Sequence, residues 1–288
     1  MARLFVVATP IGNLQDISPR AVETLKNADL IIAEDTRVAM KLCQVFDIRS
    51  KLTNCHQHNE STKGSYLAEK ILSEDLSAVL TTDAGTPCIS DPGYILIREC
   101  AAKGIDIIPV PGCCAAIAAL SICGYDTREF AFYGFLPREK KELRDKLVSF
   151  PQKTKIAVIH ESPYRVIELV QCINETLPAA KLTVCCDLTK LHEKTLRGTP
   201  AAILEQLLLN PKTEKGEYCI VMDLHDVSGT PEETVPEITA LSLEARLVQE
   251  MKNGMSLRDA QSELILSGEK KNAVKQAALS LKKMMETV

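Results

Sequence analysis

Leu4-Phe5-Val6-Val7-Ala8-Thr9-Pro10-Ile11-Gly12-Asn13 changes character halfway along. A short apolar, β-branched run stops at a loop of proline, glycine and asparagine, the signature of a buried strand ending in a turn. Ser18-Pro19 follows, with serine where a helix N-cap belongs and proline at the first helical position. Strand, loop and helix in that order open an α/β sheet, and such sheets bind ligands beyond the carboxyl ends of their strands.

Working outward, the alternation continues. Strands are expected at 30–33, 78–82 and 105–110, with helices after Thr36 and at 66–72. Strands separated by helices imply a mainly parallel sheet covered on both faces. A second alternation runs through strands at 130–135, 156–160, 182–186 and 218–222, with a helix over 163–173, and reads as a second α/β domain. Residues 226–236 are rich in turn formers and acids. The apolar spacing of Leu241, Leu247, Val248 and Met251 then becomes helical. Ser256, with Asp259 three residues on, forms a carboxylate capping box ahead of helices expected over 257–266 and 271–286. The expected division is 1–125, 126–225, and 226–288 as linker and helical region.

Composition narrows the class. At 288 residues, 45% hydrophobic and 25% charged, the chain suits a globular protein with two cores. No apolar run approaches the roughly 20 residues of a membrane span, and the first apolar stretch is too short for a signal-peptide core. A cytoplasmic location with no membrane contact is expected. Eleven cysteines, an odd number without a Cys-x-x-Cys pair, fit reduced thiols. Cys113-Cys114 and Cys185-Cys186 sit in apolar segments as small hydrophobes. A net charge of −4 argues against a nucleic-acid-binding surface spread over the whole molecule, so any RNA contact is local.

The loop after the first strand lacks the Gly-x-Gly-x-x-Gly spacing, and no Walker A sequence occurs, which leaves NAD and ATP unsupported. Two further strand ends carry turn formers: Thr82-Asp83-Ala84-Gly85-Thr86-Pro87, continuing to Ser90-Asp91-Pro92-Gly93, and Pro111-Gly112-Cys113-Cys114-Ala115-Ala116. Three such ends can form one pocket walled by amides and carbonyls, which suits a nucleoside-like ligand better than a polyphosphate. Glu34-Asp35-Thr36-Arg37 reads equally as a helix start stabilised by acids. His56-Gln57-His58-Asn59-Glu60 has no second cluster to complete a metal site, so no metal is expected. Glu161-Ser162-Pro163-Tyr164-Arg165 and Thr189-Lys190 place ionisable groups at strand ends of the second domain. The charged run 138–146 is either a solvated face or, with Arg165, Lys190, Lys270, Lys271 and Lys275, a surface that contacts phosphates.

Taken in order, Thr9-Pro10-Ile11-Gly12-Asn13, Glu34-Asp35-Thr36-Arg37, His58-Asn59-Glu60, Asp83-Ala84-Gly85-Thr86-Pro87, Pro111-Gly112, Gly134-Phe135-Leu136-Pro137 and Glu161-Ser162-Pro163 resemble the motifs of the ribosomal RNA small subunit methyltransferase I family, within the tetrapyrrole-methylase-like superfamily. The resemblance spans about 4–222 and is weaker in the tail. It implies two α/β domains with a cofactor cleft between them, S-adenosylmethionine as cofactor, a homodimer, and 2′-O-methylation of a cytidine in the decoding region of 16S rRNA in the small ribosomal subunit. By motif it assigns cofactor contacts to Pro10, Ile11, Gly12 and Asn13; to Asp83, Ala84, Gly85, Thr86 and Pro87; to Pro111, Gly112, Cys113, Ala115 and Ala116; and to Gly134, Phe135 and Leu136. Arg37, Asn59 and Arg165 become substrate-binding candidates. Lys190, Glu60 and His58 become candidates for the base that receives the hydroxyl proton. The chain departs from the family pattern at Cys113-Cys114, at Thr82 in place of serine, and at Asp187 in place of glutamate. The competing readings are a methyltransferase of the same fold acting on a tetrapyrrole or other small molecule, and a non-catalytic RNA-binding module.

Overall fold

A computed structural model describes residues 1–227, 242–252 and 255–285. The chain divides into two compact units, Met1–Ser228 and Gly229–Val288.

In the first unit, β1 (Arg3–Val7) is followed by a 3-10 turn at Leu14–Asp16, α1 (Pro19–Lys26), β2 (Leu30–Ala33), α2 (Thr36–Val45), β3 (Lys51–Asn54), α3 (Glu60–Ser73), β4 (Ser77–Thr81), α4 (Tyr94–Ala102), β5 (Asp106–Val110) and α5 (Ala115–Cys123). The strands pair in the order β3-β2-β4-β1-β5 and all are parallel, so their carboxyl ends open along one edge. Successive strand residues alternate between two buried layers. Ile31 and Val79 pack with Leu25 and Cys43, while Ile32 and Leu80 pack with Leu67 and Leu96. Burial on both faces explains the continuous apolar runs. Ser18 accepts from the Ala21 amide with Pro19 behind it, as the sequence predicts. Two readings change. The helix expected from Tyr66 begins at Glu60, and β3 was not anticipated. As an edge strand it is paired on one side and half-exposed, so Lys51-Leu52-Thr53-Asn54 needs no apolar run.

The second sheet is built by β6 (Ala131–Phe135), α6 (Lys140–Val148), a short α7 (Phe150–Lys153), β7 (Ile156–Glu161), α8 (Val166–Thr176), β8 (Lys181–Cys186), β9 (Lys194–Gly198), α9 (Pro200–Leu209) and β10 (Tyr218–Asp223). Its order is β6-β7-β10-β8-β9, with only β6 and β7 parallel. Strand β9 escapes a sequence reading for the reason that β3 does. One face packs Ile159, Val184 and Ile220 with Phe150, Leu169 and Ile203. The other packs Val158, Cys185 and Val221 against Ala116, Ala119 and Leu120 of α5. Helix α5 follows the first sheet in sequence but covers the second. The Pro111-Gly112 connection therefore carries the chain from one sheet to the other.

In the second unit, α10 (Leu243–Lys252), α11 (Leu257–Leu266) and α12 (Lys271–Met285) bury Leu247, Ala260, Leu264 and Val274. Ser256 accepts from the Asp259 amide, as its spacing predicts. The expected linker beyond Val227, and Leu241, lie outside the described residues. Among the described residues no helix is long and apolar enough to cross a membrane.

Candidate active site

The strand-end loops of the first sheet are bonded to one another. Thr9 and Gly85 exchange backbone hydrogen bonds at 2.8 and 3.0 Å, the Thr9 hydroxyl donates to the Thr82 carbonyl at 3.1 Å, and the Thr86 hydroxyl donates to the Cys113 carbonyl at 2.9 Å. These loops meet the second sheet at two glycines. A Cβ on Gly134, in the bulge of β6, would lie 3.0 Å from Ser90 Oγ, and one on Gly12 would lie inside the 188–190 turn that follows β8. Between these contacts lies a cavity of about 360 Å³, within the range of small-ligand sites.

Ile11, Ala84, Ala115, Phe135, Leu188 and Cys219 supply apolar wall, while Asp91, Glu161 and Glu217 supply carboxylates. Among the described residues neither lysine nor arginine lines the cavity. His160 lies against Phe132 and Phe135, at ring separations of 5.1 and 5.9 Å. Burial pushes its pKa down and leaves the ring neutral near pH 7. Among the described residues its Nε2 is buried without a hydrogen-bond partner, and so is Glu161 Oε2, which has only the Arg165 guanidinium near it at 3.6 Å. Burial raises the Glu161 pKa, although its other oxygen accepts from the Ser162 amide at 2.7 Å and the Arg165 guanidinium stands 3.6 Å away. Orphaned polar atoms at a cavity wall are destabilising unless a ligand meets them.

The residues expected at the site fall into groups. Ile11, Ala84, Gly85, Thr86, Ala115 and Phe135 line the cavity. Gly12, Pro87, Pro111, Gly112, Cys113 and Gly134 belong to its loops without lining it, and Ala116 is buried against the second sheet. Asn13 caps the 3-10 turn by accepting from the Gln15 amide at 3.0 Å. Pro10 and Asp83 border a separate hollow of about 210 Å³ with Val38 and Leu42. Leu136 turns into the core of the second sheet.

The polar candidates are placed differently from the expectation. Glu60 is 3% exposed, and its Oε1 accepts from the Gly93 and Ile95 amides at 2.9 and 2.8 Å, which stabilises the start of α4. Asn59 is used within its own turn, accepting from the His56 amide at 2.9 Å, and His58 is exposed. Arg37 is exposed and pairs with Asp35 at 2.6 Å, holding that carboxyl down to about 2. Arg165 donates to the Pro137 carbonyl at 2.8 Å, tying the loop after β6 to the end of β7. Lys190 pairs with Asp187 at 2.8 Å and Glu217 at 3.1 Å. Burial works against its charge, but these two bonds outweigh burial and raise its pKa. An ammonium held in this way is a brace, not a ready base. Glu60, Arg165 and Leu136 thus have interior roles that local sequence does not signal, because each depends on a partner distant along the chain.

Residues 3–203 match the family described as Tetrapyrrole (Corrin/Porphyrin) Methylases. Over 279 residues, 96% of each chain, the protein is 37% identical to ribosomal RNA small subunit methyltransferase I of Haemophilus influenzae. Over 232 residues, 80% of this chain and 78% of the relative, it is 41% identical to the protein of that name from Halalkalibacterium halodurans. The chain belongs to the ribosomal RNA small subunit methyltransferase I family. It is an S-adenosylmethionine-dependent methyltransferase. The fold is shared with diphthine synthase (TM-score 0.60, 12% identity, 76% of this chain and 89% of that one) and with cobalt precorrin-4 methyltransferase (0.56, 15%, 77% and 95%).

The cavity of this ribosomal RNA small subunit methyltransferase I family member fits the cofactor's chemistry. Apolar wall suits an adenine ring. Glu161 and Glu217, with neither lysine nor arginine on the wall among the described residues, suit a ligand that carries a sulfonium and an ammonium. Sequence reasoning quoted the Ser90-Asp91 turn and Glu161-Ser162-Pro163 but made none of them site residues, and it passed over His160, Leu188, Glu217 and Cys219. The available signal was position. All lie at strand ends or in the loops that follow them, except Glu217, just before β10, and Cys219, at its start, where β10 runs antiparallel to β7.

Proposed function

We propose that the protein transfers a methyl group from S-adenosylmethionine to the ribose 2′-hydroxyl of a cytidine in the decoding region of 16S rRNA. On this reading it works on the small ribosomal subunit, in the cytoplasm and as a homodimer. The observation that carries the reading is the cavity between the strand-end loops and the second sheet, acidic and apolar at once, in a chain whose relatives are named for the small-subunit RNA.

Ile11, Ala84–Thr86, Ala115 and Phe135 would hold the cofactor, with Glu161 and Glu217 meeting its positive groups. When bound, the cofactor supplies an already activated methyl group on sulfur. The protein's own work is orientation and desolvation, which contribute up to roughly 7–11 kcal/mol in favourable cases. The bonded loops keep the wall rigid, and the apolar lining excludes water that would compete with the hydroxyl. Arg37, outside the cavity and exposed, and the charged helix α6 remain candidates for RNA phosphate contacts.

The test is incubation with methyl-labelled cofactor and small ribosomal subunits, followed by alkaline hydrolysis of the RNA. Label at one hydrolysis-resistant cytidine is expected. Transfer to a tetrapyrrole instead, or to nothing, overturns the reading. Light scattering reports the dimer.

A further inference from the structure

We propose that Asp91 is the general base that accepts the ribose hydroxyl proton, an inference that rests on the function proposed above. Asp91 lines the cavity, and the segment that carries it is held in an unfavourable shape. Cys88 and Ser90 adopt left-handed φ of 68° and 72°, and Gly93 has φ 131°. Non-glycine residues keep such conformations only where the surroundings impose them, and they cluster at functional sites. Here the surroundings are identifiable. Glu60 grips the Gly93 and Ile95 amides from one side, and Gly134 lets β6 approach Ser90 from the other.

The charges facing Asp91 come from neighbouring strand ends. The Thr82 hydroxyl stands between two carboxyls, donating to Glu34 Oε2 at 2.8 Å and lying beside Asp91, and Asp83 adds a further negative charge. Glu161, Glu217 and the neutral His160 face the same cavity from the second sheet. Burial, then Glu34, push the Asp91 carboxyl up to about 6. It is therefore ionised at neutral pH while remaining more basic than an ordinary aspartate. The earlier candidates do not compete. Glu60 is occupied by two amides, Lys190 is a paired ammonium, and His58 lies outside the cavity wall.

In the step itself the ribose oxygen bonds to the methyl carbon while the carbon–sulfur bond breaks and leaves its electron pair on sulfur. As the oxygen gives up electron density its proton becomes strongly acidic, and it passes to an Asp91 carboxylate oxygen and then to water. Charge balances, because the positive charge of the sulfonium ends as the released proton.

Single-turnover methylation of ribosomal subunits, combined with calorimetric cofactor binding, tests the assignment. At cofactor concentrations that calorimetry shows to be saturating, Asp91→Asn is expected to slow transfer about 10²- to 10⁴-fold. The wild-type rate should rise with pH and level off above about 6, and Asp91→Asn should lose that limb. Glu34→Gln, which removes a neighbouring charge, should move the limb to lower pH, and carbon-13 NMR of the Asp91 carboxyl should move with it. These two measurements decide the matter if Asp91→Asn fails to fold. A limb that persists in Asp91→Asn, or a carboxyl resonance that titrates at an ordinary aspartate pKa, overturns the proposal. If Asp91→Asn is slow and wild type is active on subunits, both readings stand. If wild type is inactive on subunits, both fall. If wild type is active and Asp91→Asn matches it, only the base assignment falls.

Discussion

A Cβ placed on Gly12 would lie 2.5 Å from Cγ of Lys190. It would also meet Thr189 Oγ1 at 2.8 Å and the Leu188 carbonyl at 3.0 Å, so the loop after β1 and the turn after β8 are in contact over the backbone of residue 12. Both border the cavity through Ile11 and Leu188. The Lys190 stem alone could swing aside, but the Leu188 carbonyl is backbone and cannot.

Gly12→Ala is therefore expected to force the two loops apart. Overpacking of this kind destabilises by about 1–3 kcal/mol. Cofactor affinity should fall about tenfold, the factor that a 1.4 kcal/mol loss gives. Denaturant midpoints and calorimetric Kd values check both. An unchanged Kd would mean that the contact does not shape the cavity.

Lys190 is expected to act as a brace. Lys190→Met frees Asp187 and Glu217 and loosens a turn in which Asp187 and Thr189 have positive φ of 54° and 67°. The KM for cofactor should rise several-fold while the saturated rate changes little, the pattern of lost ground-state binding. Were Lys190 the base, the wild-type rate would climb to pH values above the ordinary lysine range, because its pKa is raised. The pH profile separates the two roles.

Glu60→Ala should destabilise the protein by about 3 kcal/mol, since it strips two amides of a charged acceptor, each such bond contributing about 1.5–3 kcal/mol. Glu60→Gln keeps an acceptor oxygen and should lose much less. Per folded molecule, Glu60→Gln is expected to methylate at close to the wild-type rate. Thermal melts and single-turnover rates on the same sample test this, and a large rate loss in a fully folded Glu60→Gln protein would restore Glu60 as a catalytic group.

Stability should depend on pH through Asp91 with a defined sign. The folded pKa, about 6, lies above the unfolded value of about 3.9. The folded state therefore binds the proton more tightly, and the stability this contributes is fully present below about pH 4 and is lost as pH rises through about 6. Asp91→Asn carries no such charge. Its melting temperature relative to wild type should rise between pH 4 and 6 and stay level above that, and a difference independent of pH would rule out the raised carboxyl.

The strands that carry the site were legible because their signal is local. An apolar run ending in proline or glycine reads as a buried strand meeting a turn, as at β1, β4 and β5, and Ser18-Pro19 and Ser256 read as helix starts from neighbouring residues alone. Edge strands β3 and β9 were not legible, because one-sided pairing relaxes the demand for apolar residues. The site was half legible. Turn-rich strand ends pointed to Ile11 and Gly85, and the motif resemblance to Phe135, all on the cavity wall, whereas the placement of Glu60 and Arg165 was not legible, since a conspicuous carboxylate or guanidinium looks the same in sequence whether it faces a ligand or the backbone of a distant segment.

By itself, then, the sequence determined the alternation of strands and helices, the family, and the loops at which a ligand is met. The alternation and the loops follow from hydrophobic period and backbone conformation within a few residues, and the family from the order of seven short motifs. Tertiary structure alone decided that Glu60 and Arg165 are interior supports, that Asp91 and Glu161 line the cavity, and that α5 covers the second sheet. Hydrogen bonding and desolvation are set by partners tens of residues away, and those partners become neighbours only when the sheets are packed.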